Sequence, residues 1–127
     1  MEKRNKIIYW IATGLLSFGM LASGIQQLFQ TKTMLDISSP LGYPPYFLSI
    51  IGVWKILAVI AILIPRFTLL KEWAYAGLFF VMTGAFVSHL AVGDDLKELI
   101  GPIMQTIFII LSWYFRPENR KIVPVNN

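Results

Sequence analysis

The chain has 127 residues, of which 56% are hydrophobic and only 14% charged, with a formal net charge of +4. Soluble domains carry about a quarter of charged residues, so this balance excludes an ordinary soluble enzyme. The basic residues flank apolar runs instead of forming a patch, which excludes a nucleic-acid surface. The absence of cysteine excludes disulfide staples, thiolate metal centres and the thiol relays of quinone-linked dithiol enzymes.

The apolar residues fall into four runs, Ile7 to Phe29, Phe47 to Ile64, Trp73 to Val92 and Leu99 to Phe115. Each has about 17 to 23 residues, the length a helix needs to cross a hydrocarbon core about 30 Å thick. Because helices satisfy their own backbone groups in lipid, the expected fold is all-α: one domain, an integral membrane bundle of four transmembrane helices embedded in the lipid bilayer. Lys3, Arg4 and Lys6 precede the first run as in a signal peptide. A signal's apolar region is only about 7 to 15 residues long, so the run is expected to be retained as a span.

Orientation follows from the flanking Lys and Arg. Eight lie on one side (Lys3, Arg4, Lys6, Arg66, Lys71, Arg116, Arg120 and Lys121) and two on the other (Lys32 and Lys97), so both termini are expected in the cytoplasm. Trp10, Trp73, Tyr75, Trp113 and Tyr114 would mark the inner interface, where amphipathic rings prefer to lie. Leu41 to Tyr46 contains consecutive prolines and reads as a non-helical, ordered outer loop. Gly93 is a natural stop for the third helix, and Asp95-Leu96-Lys97-Glu98 resembles a capping box for the fourth, with Pro102 in its first turns. Gly14, Ser17 and Gly24 on the first helix, and Gly77, Gly84, Ser88 and Ala91 on the third, read as stripes for helix packing.

The informative residues are the polar ones that should not be in lipid. Lys55 lies eight residues into the second span, roughly 12 Å deep at about 1.5 Å per residue. Burying it costs about 2.5 to 3.5 kcal/mol on insertion scales, so it should face the bundle interior; the alternative is snorkelling to the headgroups. Gly52 and Ala58 share its face and would let another helix approach. His89, the only histidine, has no companion ligands and makes a poor metal site. It is either an interhelical hydrogen bond or a proton carrier and ligand anchor. Gln26, Gln27 and Gln105 complete a pattern in which all four helices bring polar groups to the outer half, while the inner half is almost purely apolar. Such convergence is what a buried pocket needs. The predicted site is one outward-opening cavity lined by Lys55 and His89. The competing reading is a satisfied structural network with no ligand.

Gly52-Val53-Trp54-Lys55, Ile64-Pro65-Arg66, the run Leu70 to Gly77, Gly84 to His89, Gly93-Asp94 and the Leu41-Gly42-Tyr43-Pro44 loop together resemble the DoxX-like membrane proteins. The resemblance covers most of the chain and implies a four-helix bundle in the bacterial cytoplasmic membrane. Lys55, His89 and Asp94 match the family's polar motif, which adds Asp94 to the residues expected to line the one outward-opening cavity. Similar proteins include subunits of thiosulfate:quinone oxidoreductase systems, partners in membrane oxidoreductase complexes and animal relatives that assist receptor assembly. The implied role is a small-molecule or quinone-binding accessory subunit and not a stand-alone enzyme, with Lys55 as charged anchor, His89 as proton donor and acceptor, and Asp94 as its partner. No haem-ligand pair or nucleotide loop is present, so a redox cofactor would be a quinone or belong to a partner. A reading of a different class is a non-catalytic interaction or assembly factor, whose exposed helix faces bind another membrane protein or a second copy in a homo-oligomer.

Overall fold

Residues 2–122 are described by a computed structural model, and its regular elements are all helical. In chain order they are α1 (Lys3–Leu28), α2 (Lys32–Ser38), α3 (Pro45–Leu63), α4 (Thr68–Ala91) and α5 (Leu96–Tyr114), with single helical turns at Ser39–Leu41 and Glu118–Arg120. The four longer helices have the length and apolarity to cross a membrane. They close a ring in which α1 packs on α3, α3 on α4, α4 on α5 and α5 back on α1. One end of the bundle carries the 29–44 and 92–95 connections and is called here the loop end. The terminal end carries the start of α1, the end of α5 and the 64–67 turn.

Four features differ from the sequence expectation. The 30–46 stretch contains a helix, α2, started by the Thr31 side chain, which accepts the Met34 N–H at 3.5 Å. Pro45 does not exclude helix either: it opens α3, where its missing N–H would have had no partner in any case. Helix α4 starts at Thr68 and not at Trp73, following a turn in which Arg66 and Phe67 have positive φ of 68° and 54°. At the start of α5, Asp95 holds the N-cap position but makes no side-chain capping bond, so the expected capping box is not formed.

The hydrophobic core occupies the terminal half, where Leu16 and Met20 of α1, Val59 and Ile62 of α3, Tyr75 and Leu78 of α4 and Ile109 of α5 interlock. That half is not purely apolar, contrary to expectation. Thr13 Oγ1 and Ser112 Oγ lie 2.6 Å apart, and the Tyr75 hydroxyl is 2.8 Å from the same serine, all three residues buried. Tyr75 is therefore a core residue and not an interfacial anchor. The last carbonyls of α3 are also closed from outside the helix. Lys71 Nζ donates to Ala61 O at 2.7 Å and also to Ile64 O, while Arg120 donates to Ile62 O at 2.8 Å and Leu63 O at 3.3 Å. These are the orphan acceptors that every helix C-terminus leaves, and cations suit the negative end of the dipole. Two residues counted above as flanking charges are thus buried structural caps.

Small residues divide by position. A Cβ added to Gly52 would lie 2.5 Å from the Gly24 carbonyl oxygen, so the α1 and α3 backbones meet there, as small residues permit. Gly14, Gly77 and Gly84 face nothing within 4 Å, so the expected packing stripe of α4 does not lie on a helix contact at its glycines.

Candidate functional site

The Gly24–Gly52 contact sets the geometry of the site. It places Ser23 of α1 beside the face of α3 that carries Lys55, and Lys55 Nζ donates to Ser23 Oγ at 3.2 Å. Lys55 is buried, and among the described residues it forms no ion pair with a carboxylate. An interior ammonium held by one hydroxyl has donor capacity to spare.

His89 approaches from the last turn of α4. Gly93, at φ 76°, ends this helix in the left-handed region that glycine adopts without strain; its N–H reaches Leu90 O at 3.1 Å and the Asp94 N–H reaches His89 O at 2.9 Å. This paired closure turns Asp94 back over the helix end. Its Oδ2 lies 2.6 Å from His89 Nδ1, fixing the ring and leaving Nε2 without a partner among the described residues. A carboxylate at Nδ1 sets both tautomer and orientation of an imidazole.

Two cavities meet at these residues. The first, about 350 Å³, runs between α3 and α4 beneath α2; the second, about 390 Å³, runs toward the start of α5. Gln27, Met34, Ile37, Lys55, Met82 and His89 line both. Lys55 and His89 therefore share one space near the loop end. Asp94 lines neither cavity and acts on it through His89. Gln27 lines both cavities and Gln105 the second, whereas Gln26 lines neither. Adjacent helical residues point about 100° apart, so one of the Gln26–Gln27 pair had to face away.

Two further features carry chemistry. The side-chain oxygens of Gln27 and Gln105 are buried without a hydrogen-bond partner, which costs about 1–3 kcal/mol each unless something donates to them. Gly19 makes room for Gln105, whose Nε2 would lie 1.9 Å from a Cβ at that position. Sequence reasoning missed Ser23, Met34, Ile37, Met82 and Tyr43. The Tyr43 hydroxyl bonds to Ser88 Oγ and pins the segment before α3 to α4. Only the placement of α2 could have shown Met34 and Ile37; Ser23 was legible in principle from its neighbour Gly24.

The arrangement can hold a molecule whose head accepts from Lys55 and donates to one or both amide oxygens, beside an imidazole able to exchange a proton. No curated protein and no solved structure matches the chain. A family model does: it matches residues 11–115, which include both cavities and the His89–Asp94 pair, and the chain belongs to the DoxX-like family.

Proposed function

We propose that this chain is a binding subunit for a small molecule with a polar, acceptor-bearing head and an apolar body, of which a quinone is the best-fitting class. It would serve as an accessory to a membrane oxidoreductase system in the bacterial cytoplasmic membrane, with both termini in the cytoplasm. The observation that carries the reading is the combination, in one space, of a buried ammonium that forms no ion pair among the described residues and two buried amide oxygens without donors. Lys55 and His89 would hold the head, with Gln27 and Gln105 accepting from any hydroxyl it bears. A bound quinone supplies reversible transfer of electrons coupled to protons. The chain's own contribution is to bind and orient the head, to keep it at a fixed depth in the membrane, and to hold a proton on His89 under the control of Asp94.

The second reading, an interaction or assembly factor, is favoured by one observation. An apolar groove of about 320 Å³ lies between α4 and α5, lined by Phe79, Phe80, Ile109 and Ile110. Glu72 and Trp113 also line it, and its apolar walls fit lipid as well as protein.

Native mass spectrometry of gently extracted protein tests the first reading. Wild type and Lys32→Met, which alters an exposed lysine outside both cavities, should retain the same small-molecule adduct. Lys55→Met should lower its occupancy roughly ten- to hundredfold, the worth of one charged hydrogen bond. Equal retention by Lys55→Met and Lys32→Met would refute a head group on Lys55.

A further inference from the structure

The two cavities leave their junction in different directions, and their mouths face different solvents. The first runs along Phe47 and Ile51 of α3 and Phe80, Val81 and Gly84 of α4. Phe80 stands halfway along α4 and is 69% exposed; one turn further, Gly84 is exposed, with nothing within 4 Å of a Cβ placed on it. Halfway along a spanning helix is the middle of the bilayer, so this rim meets acyl chains and not water. Toward the loop end the same cavity is covered. Helix α2 contributes Met34, Ile37 and Ser38, while Tyr43 is bonded to Ser88 and stacked on Phe47 with ring centroids 5.1 Å apart. The second cavity instead reaches Lys97 and Glu98 in the first turn of α5, beside the 92–95 connection.

We infer that the site takes a single-tailed amphiphile directly from the bilayer through the seam between α3 and α4. Its acceptor head lies against Lys55, its tail lies along Phe47, Ile51, Phe80 and Gly84, and the mouth at Lys97 and Glu98 admits water and protons. The inference rests on the binding reading above and narrows the ligand class. An ammonium that forms no ion pair among the described residues selects an acceptor or anionic head. A lane whose mouth opens at mid-membrane selects a tail that never has to leave lipid. Gly84 is the point at which the lane can be closed. It is helical, and a larger side chain there enters open space and not the core. Gly77 is equally open, lies on the same helix and lines neither cavity, so it supplies the control.

The test uses the full chain in lipid nanodiscs, as wild type, Gly84→Leu and Gly77→Leu. Each is loaded with decylubiquinone, with its tail-less benzoquinone parent and with palmitate, and occupancy is read by native mass spectrometry. Gly84→Leu should lower occupancy by a tailed probe about tenfold, the fold-change expected of steric overpacking. The tail-less quinone should be unaffected, and Gly77→Leu should match wild type with every probe. A Gly84→Leu loss with palmitate but not with decylubiquinone keeps the lane and removes the quinone reading. Equal occupancy of all three proteins by both tailed probes overturns the lane. An equal loss of the tail-less quinone in Gly84→Leu, or no occupancy of wild type by either tailed probe, overturns it too.

Discussion

Replacing Gly52 by alanine tests the contact on which the site is built. The new Cβ would lie 2.5 Å from Gly24 O and 2.7 Å from Leu28 N, where ordinary contact begins at 3.4 Å, a shortfall of about 0.9 Å. Both neighbours are backbone atoms and cannot rotate away, so α1 and α3 must separate. Overpacking of this kind costs about 1–3 kcal/mol, against up to about 1 kcal/mol that alanine gains over glycine inside a helix. The expected net loss is about 1–2 kcal/mol. Gly77→Ala, which meets open space, should show only the propensity effect and be neutral or slightly stabilised. Unfolding of the two variants in one detergent, followed by helical circular dichroism, gives the comparison. If Gly52→Ala unfolds no earlier than Gly77→Ala, the helices do not meet at Gly24, and the placement of Ser23 beside Lys55 loses its basis.

Arg120→Met should destabilise the bundle by about 1.5–3 kcal/mol, because it leaves the Ile62 and Leu63 carbonyls without their charged donor; an unchanged unfolding transition would show that the 116–121 segment does not cap α3. The orientation expected from flanking charge is tested by Ser39→Cys, an exposed site in a chain without cysteine. An impermeant maleimide should label it in intact cells, while a reporter fused to the C-terminus should report cytoplasm, and the opposite pair of results would invert the topology.

The long helices were legible because lipid imposes length and uniform apolarity on anything that crosses it, and no packing detail is needed to see that. Lys55 and His89 were legible for the complementary reason that an ionisable group is conspicuous in an apolar run. Helix α2 was not, because seven residues hold too few turns for a periodic pattern, and its apolar side chains are fixed by the cavity they cover. The capping role of Lys71 and Arg120 was hidden for a different reason. A cation beyond the end of a span looks the same in sequence whether it faces water or turns back onto a helix terminus, and the sequence does not show where the α3 carbonyls point. Gln26 and Gln27 could not be separated either, since the phase of α1 is set by the Gly24 contact and not by its own hydropathy. Asp94 came only from the family resemblance. Gly93 was read correctly as a stop, but the consequence of that stop, a carboxylate folded back onto His89, is a property of the left-handed turn.

The two halves of the bundle treat polar groups differently, and the difference bears on whether the loop-end residues are only helix glue. In the terminal half, Thr13, Tyr75 and Ser112 bond to one another, Glu72 is held by Arg116 at 2.9 Å and by the Trp113 ring N–H at 2.9 Å, and Lys71 and Arg120 close helix carbonyls. Most of these groups are paired with one another, although Asn5 Oδ1 and Arg116 Nε are buried there without a hydrogen-bond partner. Toward the loop end it leaves an ammonium on a single hydroxyl and two amide oxygens with no donor, all facing cavities of several hundred Å³. Glue would have been expected to look like the terminal half, since unsatisfied groups in hydrocarbon cost stability and bring no packing in return. What sets the loop end apart is that its unpaired groups face open cavities, and a binding site requires this, because preorganised groups keep their capacity for the ligand instead of for each other.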